Sequence, residues 1–166
     1  MNNEDILEQC MDLANKINLY LRQRQKTLAI AESCTGGLLS HIITEIPKAS
    51  DYFLISVVSY SILSKIKCLN INADILNIYG AVSKETSEEM AISVRRLAGS
   101  DFSISTTGNL GPSALDDKPV GLAYISVCLE KDLLTRELTL TGDRHRNKVE
   151  AVLNALRFFN EVAIER

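Results

Sequence analysis

Apolar residues recur at helical spacing over 4–24, where Ile6, Leu7, Cys10, Leu13, Ala14, Ile17 and Leu21 fall on one stripe. That stripe predicts an amphipathic helix packed on another layer. Residues 27–32 read as a short strand, and 36–46 as a helix that stops near Pro47. The run FLISVVSY, 53–60, is rich in β-branched residues and predicts a buried strand. A short helix follows around 62–68 with Ser61 as its cap. ADILNIYG, 73–80, makes a short helix or turn that stops at Gly80. Ser83 is placed to cap a helix over 84–98, with Glu85 suited to its dipole. DFSISTTG, 101–108, reads as a strand that runs into a Gly-containing loop over 108–119. VGLAYISVCLE and LLTRELTLTG flank the dipeptide KD and predict a long hairpin. The last helix, about 144–163, brings Val149, Val152, Leu153, Leu156 and Phe159 to a core.

Strands alternate with helices except at the hairpin. The expected fold class is therefore α/β: a three-layer α/β/α domain around one mixed sheet, with a C-terminal hairpin and helix, forming a single domain over 1–166. Sites in such sheets form in loops beyond the carboxyl ends of strands. Those loops are ESCTGG, SYS, TTGNLGP and TGDR, all rich in hydroxyls, glycines or charge.

Composition narrows the function classes. The chain has 166 residues, 46% hydrophobic and 23% charged, as in ordinary globular domains. A net charge of -3 and a pI near 5.4 argue against broad attraction to nucleic acid. The N-terminus MNNEDILEQC carries acid where a signal peptide carries Lys or Arg, and no apolar run reaches the length of a membrane span. Cys10, Cys34, Cys68 and Cys128 are scattered, no C-x-x-C pair exists, and only His41 and His145 are available to join them. The reading is a cytoplasmic protein with no metal, no nucleic acid and no membrane among its partners.

The turn AESCTGG, 31–37, raises three alternatives: a catalytic elbow, a phosphate cradle or a capped strand–helix turn with Glu32 packed inside. Gly36 and Gly37 allow a tight turn and close approach to a ligand. The N–H groups of Thr35, Gly36 and Gly37 at a helix start can hold an oxyanion, with Ser33 or Cys34 as nucleophile. A serine needs a base. His41 lies well inside the following helix and no spacing links His145 to Ser33, so a Ser-His-Asp triad is poorly supported. Lys65 and Lys67, in SYSILSKIK, follow a strand end, and burial can make a lysine a base. Tyr60 stands at that end, placed to relay a proton or orient the lysine. Thr106, Thr107 and Gly108 suit a polar ligand, and Arg144, His145, Arg146 and Lys148 at the start of the last helix oppose its dipole unless an anion sits nearby.

In order, AESCTGG, SYS with Lys65, GAVS, TGxxGP, KPVG and GDR resemble the C-terminal domain of the competence/damage-inducible CinA proteins, also found as a stand-alone enzyme. The resemblance runs over nearly the whole chain. It implies nicotinamide-nucleotide amidase activity, which converts nicotinamide mononucleotide to nicotinate mononucleotide and ammonia. It implies Ser33 as nucleophile with Tyr60 and Lys65 as partners, and Thr107, Gly108 and Arg144 in the substrate site. It further implies an α/β/α homodimer with a small nucleotide substrate and no metal or organic cofactor. The chain departs from the family pattern at Ile62 and Leu63, where Asn and an acid are common, and in TTGNLGPSALDD, where Asn109 and Leu110 replace small positions. A later helix arginine is replaced by Lys148. The alternative to the amidase is a catalytically weak or inactive nucleotide-binding relative with a regulatory or competence/DNA-damage role.

Overall fold

The computed structural model describes residues 2–114 and 117–165. Leu115 and Asp116, inside the expected loop over 108–119, lie outside the described residues. At the centre is strand β1, Leu28–Glu32, buried at every position. It pairs in parallel with β2, Phe53–Val58, on one side and β3, Phe102–Gly108, on the other. The hairpin of β4, Leu122–Cys128, and β5, Leu133–Thr139, extends the sheet antiparallel from β3. The order is β2-β1-β3-β4-β5, one mixed sheet as the alternation of elements requires.

Side chains alternate across a strand, so β1 sends Leu28 and Ile30 to one face and Ala29 and Ala31 to the other. The first face is covered by α1, Asn3–Arg24, α2, Leu38–Glu45, and α6, Arg144–Phe159. The second is covered by α3, Ile62–Leu69, α4, Ala73–Tyr79, and α5, Lys84–Ala98. The three-layer expectation holds. The α5 face is lined by small residues, and two of its buried hydroxyls bond to α5 itself. Ser103 Oγ donates to the Ala91 carbonyl at 2.6 Å and Ser105 Oγ to the Ser87 carbonyl at 2.6 Å. Satisfied hydroxyls carry no desolvation penalty of the kind an orphan would.

Ser61 and Ser83 cap α3 and α5 as expected, accepting from the Ser64 and Thr86 N–H groups at 3.1 Å each. Three boundaries move. Gly36 and Gly37 have φ of 61° and 97°, the left-handed region that glycine enters freely, so α2 begins at Leu38 and not at 36. β2 ends at Val58, before Tyr60, because Ser59 N–H makes the last bond to Glu32 (2.8 Å) and the chain then turns into the Ser61 cap. The final helix changes to a π turn over Asn160–Ile164, where Asn160 Nδ2 donates to the Leu156 carbonyl at 2.9 Å.

Candidate active site

The carboxyl ends of the parallel strands β1, β2 and β3 lie side by side, and the four loops singled out in the sequence meet there. Glu32, the last residue of β1, is fully buried. Its Oε2 accepts from Thr35 Oγ1 (2.6 Å), Gly37 N–H (2.9 Å) and Leu39 N–H (3.2 Å). Its Oε1 accepts from Ser40 N–H (2.8 Å) and Ser40 Oγ (2.5 Å). A carboxylate at a helix start satisfies orphan donors and complements the dipole. The first turn of α2 therefore already holds an anion, its own Glu32, and is not a phosphate cradle. This also corrects the expected oxyanion donors. Gly37 N–H is spent on Glu32, and Gly36 N–H donates to the Ser33 carbonyl at 3.1 Å. Among the described residues, the amides of Cys34 and Thr35 are the ones in this turn that donate to no other residue. Thr35 Oγ1 also meets Thr106 Oγ1 at 2.7 Å, tying the turn to β3.

Ser33 and Lys65, far apart in the chain, come into direct contact. Lys65 Nζ lies 3.0 Å from Ser33 Oγ and donates to the Ser59 carbonyl at 2.6 Å. Lys65 has 0% of its surface exposed. Burial pushes its ammonium down from 10.5 to about 8, since no carboxylate compensates the desolvated charge. As an ammonium it donates to Ser33; as a neutral amine, still anchored on Ser59, it offers its lone pair to the Ser33 O–H. Lys67, the alternative lysine, is exposed. His41 is exposed and faces Glu45 at 3.9 Å, and His145 is exposed at the start of α6. Burial lifts the Cys34 thiol to about 12, with the Glu32 carboxylate adding to the effect. Cys34 is thus a protonated, packed neighbour, and between the two candidates Ser33 is the one whose side chain meets an amine.

Tyr60 and Arg144 stand at the mouth. Tyr60 is 60% exposed and accepts at Oη from Arg144 Nη2 at 2.7 Å, while Arg144 Nη1 donates to the Gly111 carbonyl. Tyr60 lines the cleft with Ser33 and Lys65, yet its hydroxyl bonds to neither. Lys148, one turn further along α6, places Nζ 3.5 Å from where a Cβ on Gly36 would stand, and has no ion-pair partner among the described residues. The cations at the start of α6 are offset by Asp143, whose side chain caps the Arg146 N–H at 2.8 Å, and by Glu150, 2.6 Å from Arg146. Thr107 lines the cleft, but its hydroxyl is committed to the Ala81 carbonyl at 2.7 Å. Gly108 packs so closely on β4 that a Cβ would stand 2.6 Å from that of Ala123.

The divergent positions separate into two kinds. Asn109 and Leu110 are built into the fold. Asn109 Oδ1 accepts from Gly111 N–H (3.2 Å) and its Nδ2 donates to the Lys118 carbonyl (3.1 Å), while Leu110 joins the core. Ile62 and Leu63 are exposed on α3 beside Tyr60, outside the cleft lining. The cleft itself measures about 100 Å³. Pockets that enclose a drug-sized ligand run to roughly 300–1,000 Å³. A carboxamide can enter, and the rest of a larger ligand must lie across the mouth. Among the described residues, no three His, Cys, Asp or Glu side chains cluster as a metal site, and no helix is long and apolar enough to cross a membrane.

The model of the CinA C-terminal domain matches residues 11–163. The chain belongs to the CinA C-terminal domain family. A competence-damage inducible protein of Thermoanaerobacter sp. strain X514 is 45% identical over 137 residues, 82% of this chain and 33% of that protein. One from Clostridium novyi is 43% identical over 141 residues, 84% of this chain and 34% of that protein. The chain thus spans about a third of the length of these curated relatives. The crystal structure of competence damage-inducible protein A from Klebsiella pneumoniae superposes with a TM-score of 0.90 at 28% identity, covering 92% of this chain and 96% of that one. A competence or damage-inducible protein from Enterobacter asburiae gives 0.88 at 29% identity, over 90% and 95%. The CinA assignment confirms the fold class drawn from the alternation of elements.

Reading by motif missed one contributor to this cleft. Ser59 supplies the carbonyl that holds Lys65, and nothing in a serine before a tyrosine signals a backbone role. Glu32 is read correctly in one of the three alternatives, the capped turn with Glu32 packed inside: its carboxyl organises the turn, because a buried acid needs donors.

Proposed function

We propose that the chain is an amidohydrolase that converts nicotinamide mononucleotide to nicotinate mononucleotide and ammonia. The observation that carries this reading is the 3.0 Å contact between Ser33 Oγ and a fully buried Lys65 whose ammonium is depressed to about 8. Neutral Lys65 takes the Ser33 proton as Oγ attacks the carboxamide carbon. The Cys34 and Thr35 amides are the donors available for the oxyanion. The C–N bond breaks with a proton delivered to nitrogen, and ammonia leaves an acyl-Ser33. Water, deprotonated by Lys65, then releases the carboxylate product. The roughly 100 Å³ cleft suits the carboxamide end, while Arg144 and Lys148 at the mouth suit the phosphate. A cytoplasmic homodimer without cofactor belongs to the same reading.

The test is ammonia release from nicotinamide mononucleotide by the purified protein. Turnover that disappears in Ser33→Ala supports the amidase; a wild type no faster than Ser33→Ala refutes it. The competing reading, a nucleotide sensor without turnover, draws on the Tyr60 hydroxyl being held by Arg144 and not by the dyad. Calorimetric binding of the nucleotide with no ammonia formed would decide for it.

A further inference from the structure

In the cleft, the Ser33–Lys65 pair is already assembled but Tyr60 is not part of it. Its hydroxyl is the acceptor of an Arg144 N–H at 2.7 Å. Arg144 sits at the first position of α6, and its planar group reaches both lips of the mouth, Tyr60 on the β2–α3 connection and the Gly111 carbonyl on the loop after β3. A phenol oxygen and a peptide carbonyl are neutral acceptors for a charged, exposed fork. A phosphate dianion is a better one, because it matches the guanidinium in charge and in bidentate geometry. A second cation waits on the same helix face. Lys148, four residues on, holds its Nζ at the Gly36 turn with no acidic partner among the described residues.

We infer that the substrate's phosphate switches the site on: it draws Arg144 away from Tyr60, and the released Tyr60 hydroxyl joins Ser33 and Lys65 as proton donor to the departing ammonia. This rests on the amidase reading above. In the tetrahedral intermediate the Tyr60 O–H proton passes to the amide nitrogen and the C–N bond breaks. The phenolate recovers a proton from the Lys65 ammonium, which had taken it from Ser33. No proton or electron is left over. Arg144 is then a positioning residue that acts through Tyr60, and Lys148 draws the anion to the α6 side of the mouth. The consequence is a specificity rule. A remote group whose binding energy is used to complete the catalytic set raises kcat, whereas one that only anchors the substrate lowers KM.

Nicotinamide riboside presents the same carboxamide without the phosphate. It should turn over with a kcat at least tenfold below that of the mononucleotide, and added inorganic phosphite dianion should raise that kcat severalfold. The phosphite response should vanish in Arg144→Gln. Equal kcat for the two substrates, with the whole deficit in KM, overturns the inference, and so does a riboside kcat indifferent to phosphite. An arm independent of turnover follows the Tyr60 ring by NMR in Ser33→Ala, its signal assigned by loss in Tyr60→Phe. Phosphite should shift that signal, and a signal that stays put overturns the inference. If the mononucleotide yields no ammonia but phosphite still shifts the Tyr60 signal, the amidase reading fails while the anion switch is supported.

Discussion

Replacing Lys65 with methionine should change how stability depends on pH, whatever the substrate proves to be. Lys65 is fully buried and its ammonium titrates at about 8 in the fold against 10.5 ordinarily. Each pH unit of displacement corresponds to about 1.4 kcal/mol, so charging Lys65 in the fold costs about 3 kcal/mol relative to the unfolded chain. Above 10.5 the lysine is neutral in both states and the cost is absent. As pH falls from 10.5 to 8, the unfolded chain takes up a proton that the native state does not, and stability drops. Below 8 both states are charged and the cost is present in full. Methionine fills similar volume without a charge. The lost bonds to Ser33 and Ser59 offset the variant by an amount that does not slope with pH in this way. Urea unfolding of both proteins from pH 7 to 10.5 isolates the effect, because titrating groups that do not interact with Lys65 cancel in the difference and the coupling to Cys34 is small beside the desolvation of Lys65. The wild type should gain about 3 kcal/mol on the variant over that range. Curves that stay parallel within about 0.5 kcal/mol would show that Lys65 is not desolvated, and the argument for it as a base would fall.

The same depressed lysine sets the pH profile of turnover. With Lys65 as the base, kcat/KM for ammonia release should rise about tenfold per unit up to pH 8 and level off above it, and a plateau already reached at pH 6.5 counts against Lys65. Cys34, held protonated to about 12, should resist iodoacetamide at pH 8 while exposed Cys68 is modified; mass spectrometry of tryptic peptides distinguishes them. Glu32→Gln leaves donors of the α2 start facing an amide, and should lower stability by about 3 kcal/mol in urea unfolding; a loss under 1 kcal/mol contradicts the role given to Glu32. Gly121→Ala places a Cβ 1.8 Å from the Leu140 carbonyl oxygen at φ of 91°, so it should reduce the soluble folded yield far more than Gly99→Ala, where nothing lies within 4 Å.

Much of the fold is legible because it is local. The stripe from Ile6 to Leu21 needs only its own spacing to become α1, and Ser61 and Ser83 cap their helices through residues three positions on. The misjudged boundaries are those set from outside the element. β2 stops at Val58 because its last ladder bond goes to Glu32 on another strand, and α2 starts late because Gly36 and Gly37 bend the chain so that Glu32 can reach the helix start.

The site divides along the same line. From the sequence alone one can name Ser33, Tyr60, Lys65 and Arg144 and place each in, or just beyond, a loop at a strand end. Only the tertiary structure decides what each side chain does. Sheet order brings Lys65 onto Ser33 across 32 residues and buries it, which lowers the ammonium of an ordinarily exposed cation to about 8. Packing hands the Gly37 amide to Glu32, and α6 carries Arg144 across 84 residues to Tyr60. Periodicity records which face of an element is buried. It carries no record of which elements become neighbours, and burial, partner choice and proton affinity are all properties of neighbours.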